Sequence, residues 1–357
     1  MPDAPAVPLV TGAADLTAEW CAAALGPGLD GATVTGVRTE AVGTGQVADT
    51  VRLYLDYDPP GAGPATLVAK VPAAEEESRA GARLTRTYEI EACFYRDLAP
   101  HLPVRTPRCY HAAHDPDTDA YVVLLEDVAP AEQGDQLRGL ELTELAAAVD
   151  ELALLHGPRW GDDDLTGIGW LHRSQPDNLD LLVGLVTYAV APFVEHYRGR
   201  VAPETLEVLE RLAPHLDDYL RHRPAPWTIV HGDFRADNLL VGGDRVVVVD
   251  WQTVGLGPGA ADLSYLLGAS VTPDVRRVEE SGLVDRYVAA LRAQGVQVDR
   301  SEVWDAYRRF AFGGLIMAVV ASTLVRRTER GDEMFTVMAD RHARQALDLD
   351  SLDLVAG

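Results

Sequence analysis

Lysine is almost absent: the 357-residue chain holds one, Lys70, against thirty arginines. Cysteine is nearly as scarce. Cys21, Cys93 and Cys109 form no CxxC pair, which excludes a disulfide framework and a structural zinc site and makes a reducing cytoplasm the simplest home. Positive charge is in deficit, 31 Lys+Arg against 55 Asp+Glu, for a net charge of −24. A field of that sign repels phosphate backbones and anionic bilayers, so nucleic acid and membrane surfaces are not expected partners. Long apolar runs are missing too. The longest, Phe310 to Val325, is interrupted by Ser322 and Thr323 and falls short of the roughly 18 residues of a membrane span, so it reads as a buried helix. Residues Met1 to Val10 carry Asp3 where a secretion signal would carry positive charge.

What is present is ordinary globular material, 47% hydrophobic and 24% charged, with length for two lobes. The solitary lysine stands out against that background. Drift toward arginine replaces lysine wherever a guanidinium serves, so Lys70 is either a chance survivor or a place where a compact ammonium on a flexible stem is needed, and its neighbours decide between the two.

Leu16, Trp20 and Leu25 recur at helical spacing, and Gly26-Pro27-Gly28 stops that helix. After Gly43-Thr44-Gly45 the period changes to two. Val51, Leu53, Leu55 and Tyr57 alternate with Arg52, Tyr54, Asp56 and Asp58, a half-buried strand, and Thr66 to Val71 returns after a Pro/Gly loop with Lys70 near its end. The stretch Glu75 to Leu98 reads as one helix, with Ile90, Phe94 and Leu98 on a face. Strands follow near Arg108 to Ala112 and at Tyr121 to Leu125, and from about Glu141 the pattern is mostly helical. The fold class expected is therefore α+β: a small antiparallel-sheet lobe over residues 1–127 and a larger, mostly helical lobe over 128–357.

The densest chemical text is Ile229 to Gln252. Two apolar runs flank Gly242-Gly243-Asp244-Arg245 and read as a β-hairpin. If Val241 faces Val246, Asn238 faces Val249 and lies beside Asp250. An amide oxygen and a carboxylate then converge at the open end of the hairpin, where hard oxygen ligands can hold Mg²⁺. Asp233, five residues before Asn238, can meet a substrate hydroxyl near that metal.

His231-Gly232-Asp233 followed by Asn238 resembles the catalytic loop of the aminoglycoside phosphotransferase and choline kinase superfamily, kinase-like enzymes that phosphorylate small molecules. Asp250 matches their metal-binding aspartate. Leu124 to Val128, Gly134-Asp135-Gln136 and Phe94-Tyr95-Arg96 look most like the ecdysteroid-kinase-like branch and its bacterial relatives, and the resemblance runs from about Val37 to Leu347. It implies a bilobal protein-kinase-like fold and an ATP-dependent phosphotransferase acting on a small-molecule hydroxyl. Asp233 orients that hydroxyl, Arg235 helps neutralise the γ-phosphate, and Asn238 and Asp250 hold Mg²⁺. Lys70 pairs with the α/β-phosphates, with Glu91 as its carboxylate partner and Glu89 as the alternative. Gly43, Thr44, Gly45 and Gln46 cover the phosphates, and the backbone of Glu126 and Val128 bonds adenine. His231 braces the loop. Asp262 resembles the family aspartate that receives loop N–H groups, against the plainer reading of a helix-start carboxylate.

The acceptor stays open between a natural-product alcohol, which we favour, an aminoglycoside and a hydroxyacyl-CoA. The opposing class is a non-catalytic pseudokinase. Gly43 to Ala48 also fits a dinucleotide-binding fingerprint, but a strand follows where that motif needs a helix, and a phosphate-binding P-loop is excluded because Lys70 precedes Val71. Asp162 to Asp164 reads as solvated surface and Cys93 as packing. Trp160, Trp170 and Tyr197 fit either core positions or the lining of an acceptor pocket.

Overall fold

The computed structural model describes residues 7–42, 47–171, 176–242, 245–324 and 327–355. Gly43, Thr44, Gly45 and Gln46 lie outside them. The chain divides into two compact units, residues 1–101 with 106–129, and residues 102–105 with 130–357. The short stretch 102–105 joins the second unit because its backbone is spoken for there. Arg105 N–H donates to Glu151, the Val248 N–H donates to the Arg105 carbonyl, and Arg245 reaches the Pro103 carbonyl.

The first unit begins with helix α1 (Ala18–Leu25), capped by Thr17, whose hydroxyl accepts the Trp20 N–H at 3.2 Å. Five antiparallel strands follow, β1 (Thr33–Ala41), β2 (Ala48–Asp58), β3 (Thr66–Pro72), β4 (Cys109–His114) and β5 (Tyr121–Glu126), in the order β1-β2-β3-β5-β4. The period-two reading of β2 holds: Val51, Leu53, Leu55 and Tyr57 are buried, and they pack with Leu67, Ala69 and Val71 of β3 against Trp20, Cys21 and Leu25. Lys70 alternates out of that core, paired across the sheet with Thr50 on one side and Val123 on the other.

The expected single helix from Glu75 to Leu98 is a correction. Two helices occur, α2 (Glu76–Thr85) and α3 (Thr87–Cys93), and a π-turn over Phe94–Leu98 completes the segment. The break is at Arg86, whose φ of +58° leaves the helical region while its guanidinium binds Glu89 at 2.8 Å. Strand β1 had no counterpart among the elements expected from the sequence, because Val34 is its only buried position and no alternation is visible.

The second unit is helical around short strands. After β6 (Glu132–Gln133) come α4 (Leu142–His156), α5 (Pro176–Tyr197), α6 (Pro203–Leu212), α7 (Leu216–Arg221), β7 (Thr228–Val230), β8 (Leu239–Val241), β9 (Val247–Val248) and β10 (Gly255–Gly257). Helices α8 (Ala260–Ala269), α9 (Pro273–Ala293), α10 (Arg300–Arg309), α11 (Gly313–Leu324) and α12 (Glu329–Asp348) complete it. The hairpin register is the one expected, Leu239 against Val248 and Leu240 against Val247. The apolar run from Phe310 forms a 3₁₀ turn and α11, with Leu315, Ile316, Ala318 and Val319 buried. Among the described residues one helix, Leu179–Tyr197 within α5, is long and apolar enough to cross a membrane. It packs on α11, with Val186, Ala189, Phe193 and Tyr197 buried.

Candidate active site

In the first unit, Lys70 and Glu91 form an ion pair, Nζ to Oε1 at 2.7 Å, with the Glu91 side chain only 2% exposed. The second Glu91 oxygen accepts the Tyr121 hydroxyl at 2.6 Å, and Tyr121 is itself stacked on Tyr88 at 4.5 Å. A buried carboxylate needs such partners. Glu89 takes the other course and pairs with Arg86. At the end of β5, Glu126 is bound into the sheet: its N–H donates to the Arg108 carbonyl and its carboxylate accepts the Arg108 N–H. Asp127 pairs with Arg52 at 2.7 Å, which fixes the segment leading to Val128.

In the second unit, β7 runs into His231-Gly232-Asp233. Gly232 has a φ of +84°, and a Cβ there would stand 2.7 Å from the Thr253 carbonyl oxygen, so only glycine fits this turn. Asp262 at the start of α8 accepts the His231 N–H at 2.6 Å and the Gly232 N–H at 3.0 Å, and His156 lies 3.3 Å from the same carboxylate. Burial pushes the Asp262 carboxyl up, but the His156 hydrogen bond, the two nearby histidines and the loop amide together bring it below the usual carboxylate range. His231 accepts the Asp233 N–H at Nδ1, 3.3 Å, which leaves Nε2–H to donate to the Val249 carbonyl at 3.0 Å. Its ring lies against Trp251 and Phe234.

The Asp233 carboxylate is held on both oxygens. Tyr265 donates to Oδ1 at 2.7 Å, Asn238 Nδ2 donates to Oδ2 at 2.8 Å, and Arg235 Nε spans both at 3.1 and 3.2 Å. Arg235 is engaged on its other side as well, by Asp237 at 2.7 Å and Gln136 at 2.8 Å. Burial alone would lower its pKa, yet the Asp233 and Asp237 carboxylates hold it above the ordinary arginine value, so the guanidinium stays charged. Asp237 in turn accepts the Gln136 N–H, and its carbonyl accepts Gln133 Nε2, so β6 and the segment after it clamp the loop.

The Val249 N–H donates to the Asn238 carbonyl at 3.0 Å, which sets Asp250 beside Asn238 at the hairpin's end. Asp250 has a φ of +65°, a left-handed backbone that turns it off the line of β9. The donor set suits Mg²⁺. Asn238 spends its amide nitrogen on Asp233 and so offers oxygen, Asp250 offers a carboxylate, and Mg²⁺ takes one or two such ligands together with phosphate oxygens and water.

Gln136, Asp237 and Tyr265 were not singled out as site residues from the sequence. The spacing Asp262 to Tyr265, one helical turn, was the available signal for the tyrosine. Of the remaining candidates, Asp163 and Asp164 are exposed, Cys93 is buried beside Arg96, and Tyr197 is buried with its hydroxyl on Asp332 at 2.7 Å.

A small antiparallel sheet with a buried lysine–glutamate pair, together with a helical unit built around an Asp-Asn loop and a following aspartate, defines a protein-kinase-like phosphotransferase fold. The chain belongs to the phosphotransferase enzyme family, whose model matches residues 61–310. Among solved structures it is similar to a choline kinase from Cryptosporidium parvum Iowa II (13% identity, 90% of each chain covered, TM-score 0.55). An ethanolamine kinase from Plasmodium vivax is also similar (10% identity, 86% of this chain and 82% of that one, TM-score 0.52). So is the macrolide 2'-phosphotransferase MphH from Brachybacterium faecium (16% identity, 87% and 94%, TM-score 0.46). No curated protein matches the sequence.

Proposed function

We propose that the protein transfers the γ-phosphoryl group of ATP to a hydroxyl of an uncharged or weakly charged small molecule. The observation that carries the reading is the Asp233 carboxylate, held on both oxygens beside an Asn238–Asp250 pair that suits a divalent cation. Phosphoryl transfer asks the protein for positioning and charge neutralisation more than for covalent chemistry. Asp233 accepts the hydrogen bond of the acceptor hydroxyl and aims its oxygen at the γ-phosphorus. As the new O–P bond forms, the bond to the β,γ-bridging oxygen breaks, ADP leaves, and the hydroxyl proton passes to Asp233 and then to solvent. Bound at Asn238 and Asp250, Mg²⁺ would neutralise phosphate charge. Lys70, fixed by Glu91, supplies a point charge for the α/β-phosphates, with Gly43 to Gln46 covering them and the Glu126 and Val128 backbone taking adenine.

A pseudokinase is disfavoured because Lys70, Glu91, Asp233, Asn238 and Asp250 are all present. An uncharged alcohol is favoured over a polycationic one because Arg235 already neutralises the Asp233 and Asp237 carboxylates. A natural-product hydroxyl fits that setting best. Asp233→Ala is expected to abolish Mg²⁺-dependent turnover of γ-labelled ATP while leaving the fold intact. Turnover equal to the wild type would end the proposal.

A further inference from the structure

Helix α8 grips the loop at two points one turn apart. Asp262 takes the His231 and Gly232 N–H groups, and Tyr265 donates its hydroxyl to Asp233 Oδ1 at 2.7 Å. Tyr265 is 4% exposed, and its ring is fixed between neighbours. The His342 ring lies 5.3 Å away, Met338 Sδ is 3.5 Å from the phenol oxygen, and a Cβ on Gly313 would come within 3.3 Å of the ring. Gly313 leaves the tyrosine room and nothing more.

A carboxylate free to turn about its Cβ–Cγ bond can present either oxygen to a nucleophile. At Asp233 one oxygen is taken by a neutral phenol from α8 and the other by the Asn238 amide of its own loop, while Arg235 bridges the two. We infer that Tyr265 is a positioning residue: its hydroxyl fixes the rotation of the Asp233 carboxylate so that the acceptor's O–H meets one oxygen in one orientation. This rests on the phosphotransferase reading above. Burial, and then the Asp233 charge, hold the Tyr265 phenol well above its usual pKa, so it serves as a donor throughout the working range.

Loss of one positioning contact loosens the attack geometry without touching the nucleotide, and misplacement on the scale of an ångström costs up to about 100-fold in rate. The test uses the full chain, Mg²⁺ and γ-labelled ATP with a panel of acceptors, water, lipophilic alcohols, polycationic aminoglycosides and hydroxyacyl-CoAs, and turnover is read with whichever accepts the label. Tyr265→Phe keeps the ring and its packing. Its kcat is expected to fall between about 10- and 100-fold, with KM for ATP within about twofold and the thermal midpoint within a few degrees. An unchanged kcat in Tyr265→Phe, or a fall accompanied by a loss of thermal midpoint beyond a few degrees, overturns the inference and marks the tyrosine as packing alone. Absence of turnover in the wild type, or full turnover in Asp233→Ala, overturns the phosphotransferase reading and the inference together. A wild type that turns over, a dead Asp233→Ala and a fully active Tyr265→Phe overturn the inference only.

Discussion

Lys70 is the one position where the chain kept an ammonium, and its geometry shows what that group meets. Nζ meets Glu91 Oε1 at 2.7 Å inside a pocket that leaves the lysine side chain 14% exposed, while Tyr121 holds the other carboxylate oxygen. A guanidinium is broader and planar, so Lys70→Arg would keep the charge but move its centre. Turnover of ATP is expected to drop by about tenfold or more, with circular dichroism and the thermal midpoint close to wild type. Full activity in Lys70→Arg would remove the case for a phosphate-contacting ammonium. Scarcity drew attention to this residue in the sequence, its strand position and the family resemblance gave it a role, and the choice of Glu91 over Glu89 came from family spacing. Geometry explains that choice: Glu89 is consumed by Arg86 at the helix break. Tyr265 carried no comparable mark, because a buried tyrosine in an apolar helix reads as core until its hydroxyl is seen on a carboxylate.

At the scale of elements, the loop between β7 and the hairpin is an assembly of backbone constraints. Gly232 supplies a positive φ that a larger residue enters only with strain, Asp262 satisfies two loop amides, and the hairpin register carries Asn238 to Asp250. Gly232→Ala combines the left-handed penalty with a Cβ pressed on the Thr253 carbonyl. It should destabilise the protein by about 2 kcal/mol or more in denaturant titrations and lower turnover, whereas a shift below about 0.5 kcal/mol would show that the loop yields. The register was readable because a Gly-Gly turn between two apolar runs leaves few pairings. Helix α2 to α3 was not readable, since a helix former such as Arg86 gives no warning that it will take a left-handed conformation. Strand β1 escaped for a related reason: an edge strand with one buried side chain has no period to detect.

For the molecule as a whole, acid stability is set in part by groups buried without charge. His342 in α12 is fully buried, and burial pushes its imidazole down to about 4, the Arg276 and Arg341 charges acting the same way against the Ala311 carbonyl. The unfolded chain binds that proton near 6.5. The contribution is therefore whole above pH 6.5 and is lost as pH falls toward 4, about 3 kcal/mol at full extent. Urea midpoints measured between pH 7.5 and pH 4.5 should fall steeply for the wild type and less so for His342→Gln. Equal slopes would assign the loss to other groups, with His111 and His114, also lowered by burial, next in line. The two-unit architecture was evident in the change from period two to period 3.6 along the chain. The assignment of residues 102–105 to the helical unit was not, because it depends on hydrogen bonds to Glu151 and Val248 that no local pattern announces.

The central claim, that Asp233 aims a hydroxyl at the γ-phosphate of ATP, is tested most directly by following the label itself. The full chain would be incubated with Mg²⁺, γ-labelled ATP and a panel of lipophilic alcohols, polycationic aminoglycosides and hydroxyacyl-CoAs, and the products separated. The account predicts labelled alcohol with the wild type and none with Asp233→Ala. Label that stays on ATP across the whole panel, or that reaches an acceptor equally in both proteins, would contradict it.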